Sequence, residues 1–290
     1  MTISPTVASW LAVGNDVPQD RFLAWASAVE SEIRERLSAA TTIYLRATGN
    51  DANDGRTPAT ALLTPGGVVA RIVDKLDAAG QAITVDIGSG NFGNFNFARR
   101  LVGGTTIKLK GAGSANTRIG SGGIGISIGD GIRIELEALE LYGTTACASI
   151  LNGGHLLLNA AAAVRMTMGA AGTRYVNVSN AGYFYSFGPT IELSGNAQRF
   201  LQISSLGAAL IYSTTFKSVA ATAFSAAFLD VSGGSALYTN SANTKNETAG
   251  AFTGKKYTID GNGTIYSGGW STANMPGDVA GTTSTGGEIV

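Results

Sequence analysis

The chain has 290 residues, 44% of them apolar, with 20 basic against 20 acidic side chains, one Cys and one His. Its 40 glycines are about twice the usual share of roughly 7%, and its 14% of charged residues falls well below the usual value of about 25%. Zero net charge without a Lys/Arg cluster argues against nucleic acid, lone Cys147 excludes an intrachain disulfide framework, and lone His155 excludes a multi-His metal centre.

The opening "MTISPTVASWLAVGND" has neither a basic n-region nor a long apolar h-region, so no secretory signal is expected. No apolar run approaches the roughly 18 residues of a membrane span, and no membrane insertion is expected. Residues 16 to 40 predict a helix: Asp16 and Gln19 make a capping pair, and Phe22, Trp25, Val29, Ile33 and Leu37 form one apolar stripe. Residues 1–41 are therefore expected to be a helical segment, too short for a core of its own.

The stretch "TIYLRATGNDANDGRTPATALLT", residues 42 to 64, crowds Asn, Asp and Gly into one loop. An EF-hand register with Gly55 as its glycine places Ala52 and Ala61 where ligands belong, so the loop is expected to be a tight turn. Residues 65 to 79 predict a second, short helix with Val68, Val69, Ile72, Val73 and Leu76 on one side and Gly80 closing it.

From Gly80 onward, short apolar runs alternate with glycine. Glycines 80, 104, 131, 154, 182, 207, 234 and 263 recur at steps of 23 to 29 residues. Three positions after each stand Ile83, Ile107, Ile134, Leu157, Tyr185, Leu210, Leu237 and Tyr266, all apolar or aromatic. A strand-based period in the twenties predicts a mostly β fold, a β-solenoid whose coils bury their inner faces only by stacking. Ile83, Ile107, Ile134, Leu157, Leu210 and Leu237 are expected to form one inward column, with Tyr185 in it. The "HLLLN" and "GYFYSFG" runs are apolar on both faces, which predicts a second buried face supplied by a neighbouring subunit.

Candidate sites follow from the same pass. "VDIGSGNFG" spells a dinucleotide loop at Gly88, Gly90 and Gly93, but strand-like "NFNFARR" follows where a helix must receive the pyrophosphate. "GGIGIS" from Gly122 has Ser127 where a calcium-binding repeat needs Asp. Glu135 with Glu137, or Glu192 with Asp230, are the carboxylates available to a glycosidase, and more simply a solubilising surface. His155 is expected in a turn. Of the many late aromatic residues, Tyr257, Tyr266 and Trp270 are the carbohydrate-binding candidates, since flat rings stack on sugars. No cofactor or metal is expected.

The stretch "TIYLRATGNDANDGRTPAT", a strand followed by G-N-D-x-N-D-G and T-P-x-T, with the short amphipathic helix of residues 65 to 79 after it, resembles the entry of right-handed parallel β-helix tail spikes and fibres of bacteriophages. The helix entry departs, with "LLTPGG" in place of Phe-x-Thr-Ile-Gln. The end, "AFTGKKYTIDGNGTI…MPGDVAGTTSTGG", is similar to the C-terminal part of such fibres. The resemblance implies a homotrimeric virion protein that is joined to a tail base, portal vertex or capsid by residues 1–41. It also implies a β-helix over 42–263 with an entry cap at 42–80, and a Gly/Thr-rich tail over 264–290. A fibre binding host-surface polysaccharide is expected first, a tail-spike depolymerase second, and a cellular enzyme of the pectin-lyase type third.

Overall fold

The computed structural model describes residues 34–159, 162–169 and 172–290. Within the unit Arg36–Val290, one small turn recurs from coil to coil. Asp130 and Gly131 both have positive φ (50° and 73°), and Ile132 N–H donates across them to the Gly129 carbonyl at 3.0 Å. Asn152–Gly153, Asn180–Ala181, Ser205–Leu206, Gly261–Asn262 and Thr285–Gly286 repeat the positive pair, each closed by the same four-residue hydrogen bond. Two successive left-handed residues define a type I′ turn. It leads each coil into its next strand.

The strands stack in parallel into three sheets. Sheet 1 has ten strands, running from Thr41–Leu45 through Ile83–Ile87, Thr106–Lys110, Arg133–Glu137, His155–Asn159, Tyr183–Phe187, Ala208–Tyr212, Ala236–Thr239 and Thr264–Tyr266 to Glu288–Ile289. Sheet 2 has seven, from Gly90–Phe92 to Thr244–Asn246, and sheet 3 has nine, from Phe95–Phe97 to Thr282–Thr283. The predicted solenoid is therefore present. It also continues through the expected tail: Thr282–Thr283 pairs with Thr258–Ile259 and Glu288–Ile289 with Thr264–Ile265, so residues 264–290 supply further coil strands.

The inward column of sheet 1 differs from the expected one. Register runs Ile83, Ile107, Ile134, Leu156, Phe184, Ala209, Leu237, Ile265, all buried. Leu157, Tyr185 and Leu210 point outward instead. The cause lies in the turns. Glycines 80, 131 and 234 are the second left-handed residue of the turn, whereas glycines 154, 182, 207 and 263 follow it and donate its closing hydrogen bond. These later glycines answer to sterics: a Cβ at Gly154 would lie 2.6 Å from the Ile128 carbonyl oxygen of the coil before. Counting three residues from either kind of glycine lands on opposite faces of a strand, because side chains alternate.

At the entry, the short helix exists but is shorter than predicted: Pro65–Val69 and a wider turn Ala70–Asp74, followed by strand residues Leu76–Asp77. The Thr64 hydroxyl accepts from Gly67 N–H at its start, and Val68, Val69, Ile72 and Val73 are buried in the core. Residues 34–40 of the other expected helix are not helical; the rest of that helix, including Trp10, Phe22 and Trp25, lies outside the described residues. No helix among the described residues is long and apolar enough to cross a membrane.

Candidate functional site

The loop at the solenoid mouth hydrogen-bonds itself. Asp51 Oδ1 accepts from Leu63 and Thr64 N–H at 2.9 Å each, and its Oδ2 from the Thr64 hydroxyl at 2.6 Å. Burial pushes the Asp51 carboxyl up, but these donors outweigh it and hold the group below the usual carboxylate range. Asp54 accepts from Arg56 N–H and Thr60 Oγ1, and Asn50 from Ala52 N–H. The acceptors are spent on the chain's own turn, as expected.

The glycosidase carboxylates are also engaged. Glu135 pairs with Lys108 at 2.9 Å, and Glu137 with Lys108 and Lys110 at 3.1 and 3.3 Å. Glu192 bridges Arg165 and Lys217, each at 2.9 Å, and Asp230 pairs with Arg199. Burial raises Glu137 and Glu192, but their cations pull both below the ordinary value, which disfavours the protonated form a general acid needs.

The three carbohydrate candidates do not converge. Trp270 is only 3% exposed and stacks on Phe216 at 5.9 Å inside the core. Tyr257 succeeds Leu229 in sheet 3 and packs, partly buried, against the core. Only Tyr266 stands outward, and it does so in company. It stacks nearly parallel on Tyr238, with ring centres 4.6 Å apart and planes at 5°, and the two are 39% and 38% exposed.

That pair ends a longer outward stripe on sheet 1. Strand alternation turns Phe184 and Ser186 inward and leaves Tyr183, Tyr185 and Phe187 outside, with ring centres 6.1 and 6.0 Å apart. His155 begins a strand rather than a turn and stacks on Tyr183 at 4.8 Å; burial, then the Arg133 cation, hold its imidazole below the ordinary value. Phe187 meets Tyr212 at 5.8 Å, and Leu157, Tyr185, Leu210, Tyr238 and Tyr266 form one outward column. An open cleft of about 1230 Å³, lined by Leu101, Gly104, Thr106, Asp130 and Arg133, adjoins the stripe through Arg133, the register partner of His155. Sequence reasoning assigned Tyr185 to the core. Counting alternation from the strand start would have turned it out.

Compared with known protein families, characterised proteins and solved structures, the chain matches none.

Proposed function

We propose that this chain is a non-enzymatic fibre or spike of a phage or phage-like particle, a homotrimer that binds host-surface polysaccharide. The observation that carries the proposal is the continuous outward aromatic stripe on sheet 1, in contrast to the charge pairs and amides that sheets 2 and 3 carry. Its two parts suit two partners. The block of His155, Leu157, Tyr183, Tyr185, Phe187 and Leu210 is mostly without hydroxyls and fits an apolar protein surface, that of neighbouring subunits. The stacked Tyr238–Tyr266 pair offers an exposed aromatic edge carrying two phenol oxygens, which suits the apolar patch and hydroxyl rim of a sugar ring. The strand spacing, roughly 4.8 Å, is close to the length of one pyranose. In this proposal the coils wind right-handed, as parallel crossovers almost always do. Residues 1–41 attach the fibre to the particle.

The paired state of Glu135, Glu137, Glu192 and Asp230 supports binding without cleavage. The test is incubation of purified protein with host capsule or lipopolysaccharide. Retention of intact polysaccharide, abolished by Tyr266→Ala, is the expected result. Shortening of the polysaccharide would replace the proposal with a depolymerase, and absence of retention would remove the glycan altogether.

A further inference from the structure

Sheet 3 carries a different outward chemistry. One column runs Ser149, Asn177, Gln202, Asp230, Thr258 in register. The column beside it places Arg174 directly against Arg199, with Ala146 on the coil before and Ala227 on the coil after. Two guanidinium stems therefore rise from adjacent coils, one strand spacing of roughly 4.8 Å apart, flanked by the buried Ala146 and Ala227.

Their partners differ. Arg199 Nε donates to the Asp230 carboxylate and its Nη1 to Gln198 Oε1 at 3.1 Å. Arg174 meets only neutral acceptors: Asn177 Oδ1 at 3.0 Å, Gln202 Oε1, and Thr173 Oγ1 at 3.4 Å. Among the described residues no carboxylate forms an ion pair with it, and its Nη2 has no acceptor. The contrast with sheet 2 is direct, where Arg118 and Arg165 each face a glutamate on the neighbouring coil at 2.9 Å. Arg174 is half-buried, and burial followed by the Arg199 charge lowers its pKa, with Asp230 acting the other way. A half-buried cation without a counter-ion carries a desolvation cost that an anionic ligand offsets.

We propose that Arg174, with Asn177, Gln202 and Arg199 beside it, binds the single carboxylate of a polar, hydroxyl-bearing ligand, the chemistry of an acidic saccharide. The free Nη2 edge of Arg174 supplies donors to a carboxylate oxygen. Two arginines and one aspartate leave one positive charge, which matches a monoanion, while a phosphate dianion would meet Asp230. The hydroxyls and amides along the neighbouring column suit sugar hydroxyls. This site lies on a different sheet from the aromatic stripe and does not rest on it.

The test is titration of the intact chain with sodium glucuronate, followed by the side-chain Nε–H signal of Arg174 and by calorimetry, with glucose and inorganic phosphate as comparators. Glucuronate should shift that signal and glucose should not. Arg174→Met should weaken glucuronate at least tenfold and Asp230→Asn should tighten it. An unmoved Arg174 signal, an unaltered affinity in a folded Arg174→Met protein, or phosphate binding tighter than glucuronate would each overturn the assignment. Should Arg174→Met fail to fold, the Arg174 signal and Asp230→Asn decide, and a weakened or unchanged affinity in the latter counts against it.

Discussion

Leu156 and Leu157 are neighbours of the same type with opposite fates. Leu156 is fully buried between Ile134 and Phe184, while Leu157 faces outward between Glu135 and Tyr185. Leu156→Ala is expected to cost about 2–5 kcal/mol, the range for emptying a packed leucine site, and Leu157→Ala about 1 kcal/mol or less in the monomer. Urea denaturation of the two variants checks the register; equal losses would contradict it. Beside them, His155 gives the face a pH dependence. The folded chain binds the imidazole proton less readily than the unfolded chain, because burial and then Arg133 disfavour the charge. Its contribution is therefore fully present above the unfolded value of about 6.5 and is lost as pH falls toward the folded pKa. Between pH 7 and pH 5.5 the wild type should lose more of its urea midpoint than His155→Gln does. Parallel losses would place the acid sensitivity elsewhere.

At the scale of the element, the type I′ turn explains what the sequence revealed and what it hid. Eight recurring glycines disclosed the coils, since both kinds of glycine mark the same turn. They misplaced the faces, since one kind answers to backbone dihedrals and the other to the carbonyl of the coil beneath, as at Gly154. Alternation itself was legible in "IRIELE", where the outward residues are charged, and illegible in "HLLLN" and "YFYSF", where both faces are apolar. Of the rings singled out in sequence, Tyr266 lies on the outward face and Trp270 lies in the core, because a buried indole and a surface indole read alike in sequence. The turn also predicts a stabilising change. Leu206 sits at φ 64° with 71% of its surface exposed, and a left-handed backbone costs an L side chain roughly 1–2 kcal/mol. Leu206→Gly removes that strain against an entropic cost of roughly 0.5–1 kcal/mol. A net gain of up to about 1 kcal/mol, read as a melting temperature raised by a few degrees, is expected. A lowered melting temperature would mean that Leu206 packs on something the turn geometry does not reveal.

For the whole molecule, the outward surfaces are unequal. Sheet 2 is laced by the Arg118–Glu140 and Arg165–Glu192–Lys217 pairs, sheet 3 by its amide and hydroxyl column, and the first coils of sheet 1 by Lys108, Lys110, Glu135 and Glu137. From His155 onward sheet 1 changes abruptly to rings and aliphatic groups, although the core beneath it is already filled by Leu156, Phe184 and Ala209. A solenoid has one interior, so this second apolar face is satisfied only from outside the coil. Closed three-fold association covers such a stripe on every copy without leaving a growing chain. Under the proposed fibre reading, light scattering on the purified protein should give a trimer. A combined Tyr183→Ser, Phe187→Ser and Leu210→Ser variant should become a folded monomer, because none of the three lies in the inward column. Tyr266→Ala should remain trimeric while losing polysaccharide. A wild-type monomer that binds no hydrophobic dye would end the trimer assignment. A triple variant that stays trimeric but loses polysaccharide would give the whole stripe to the glycan and move the subunit contact to another face.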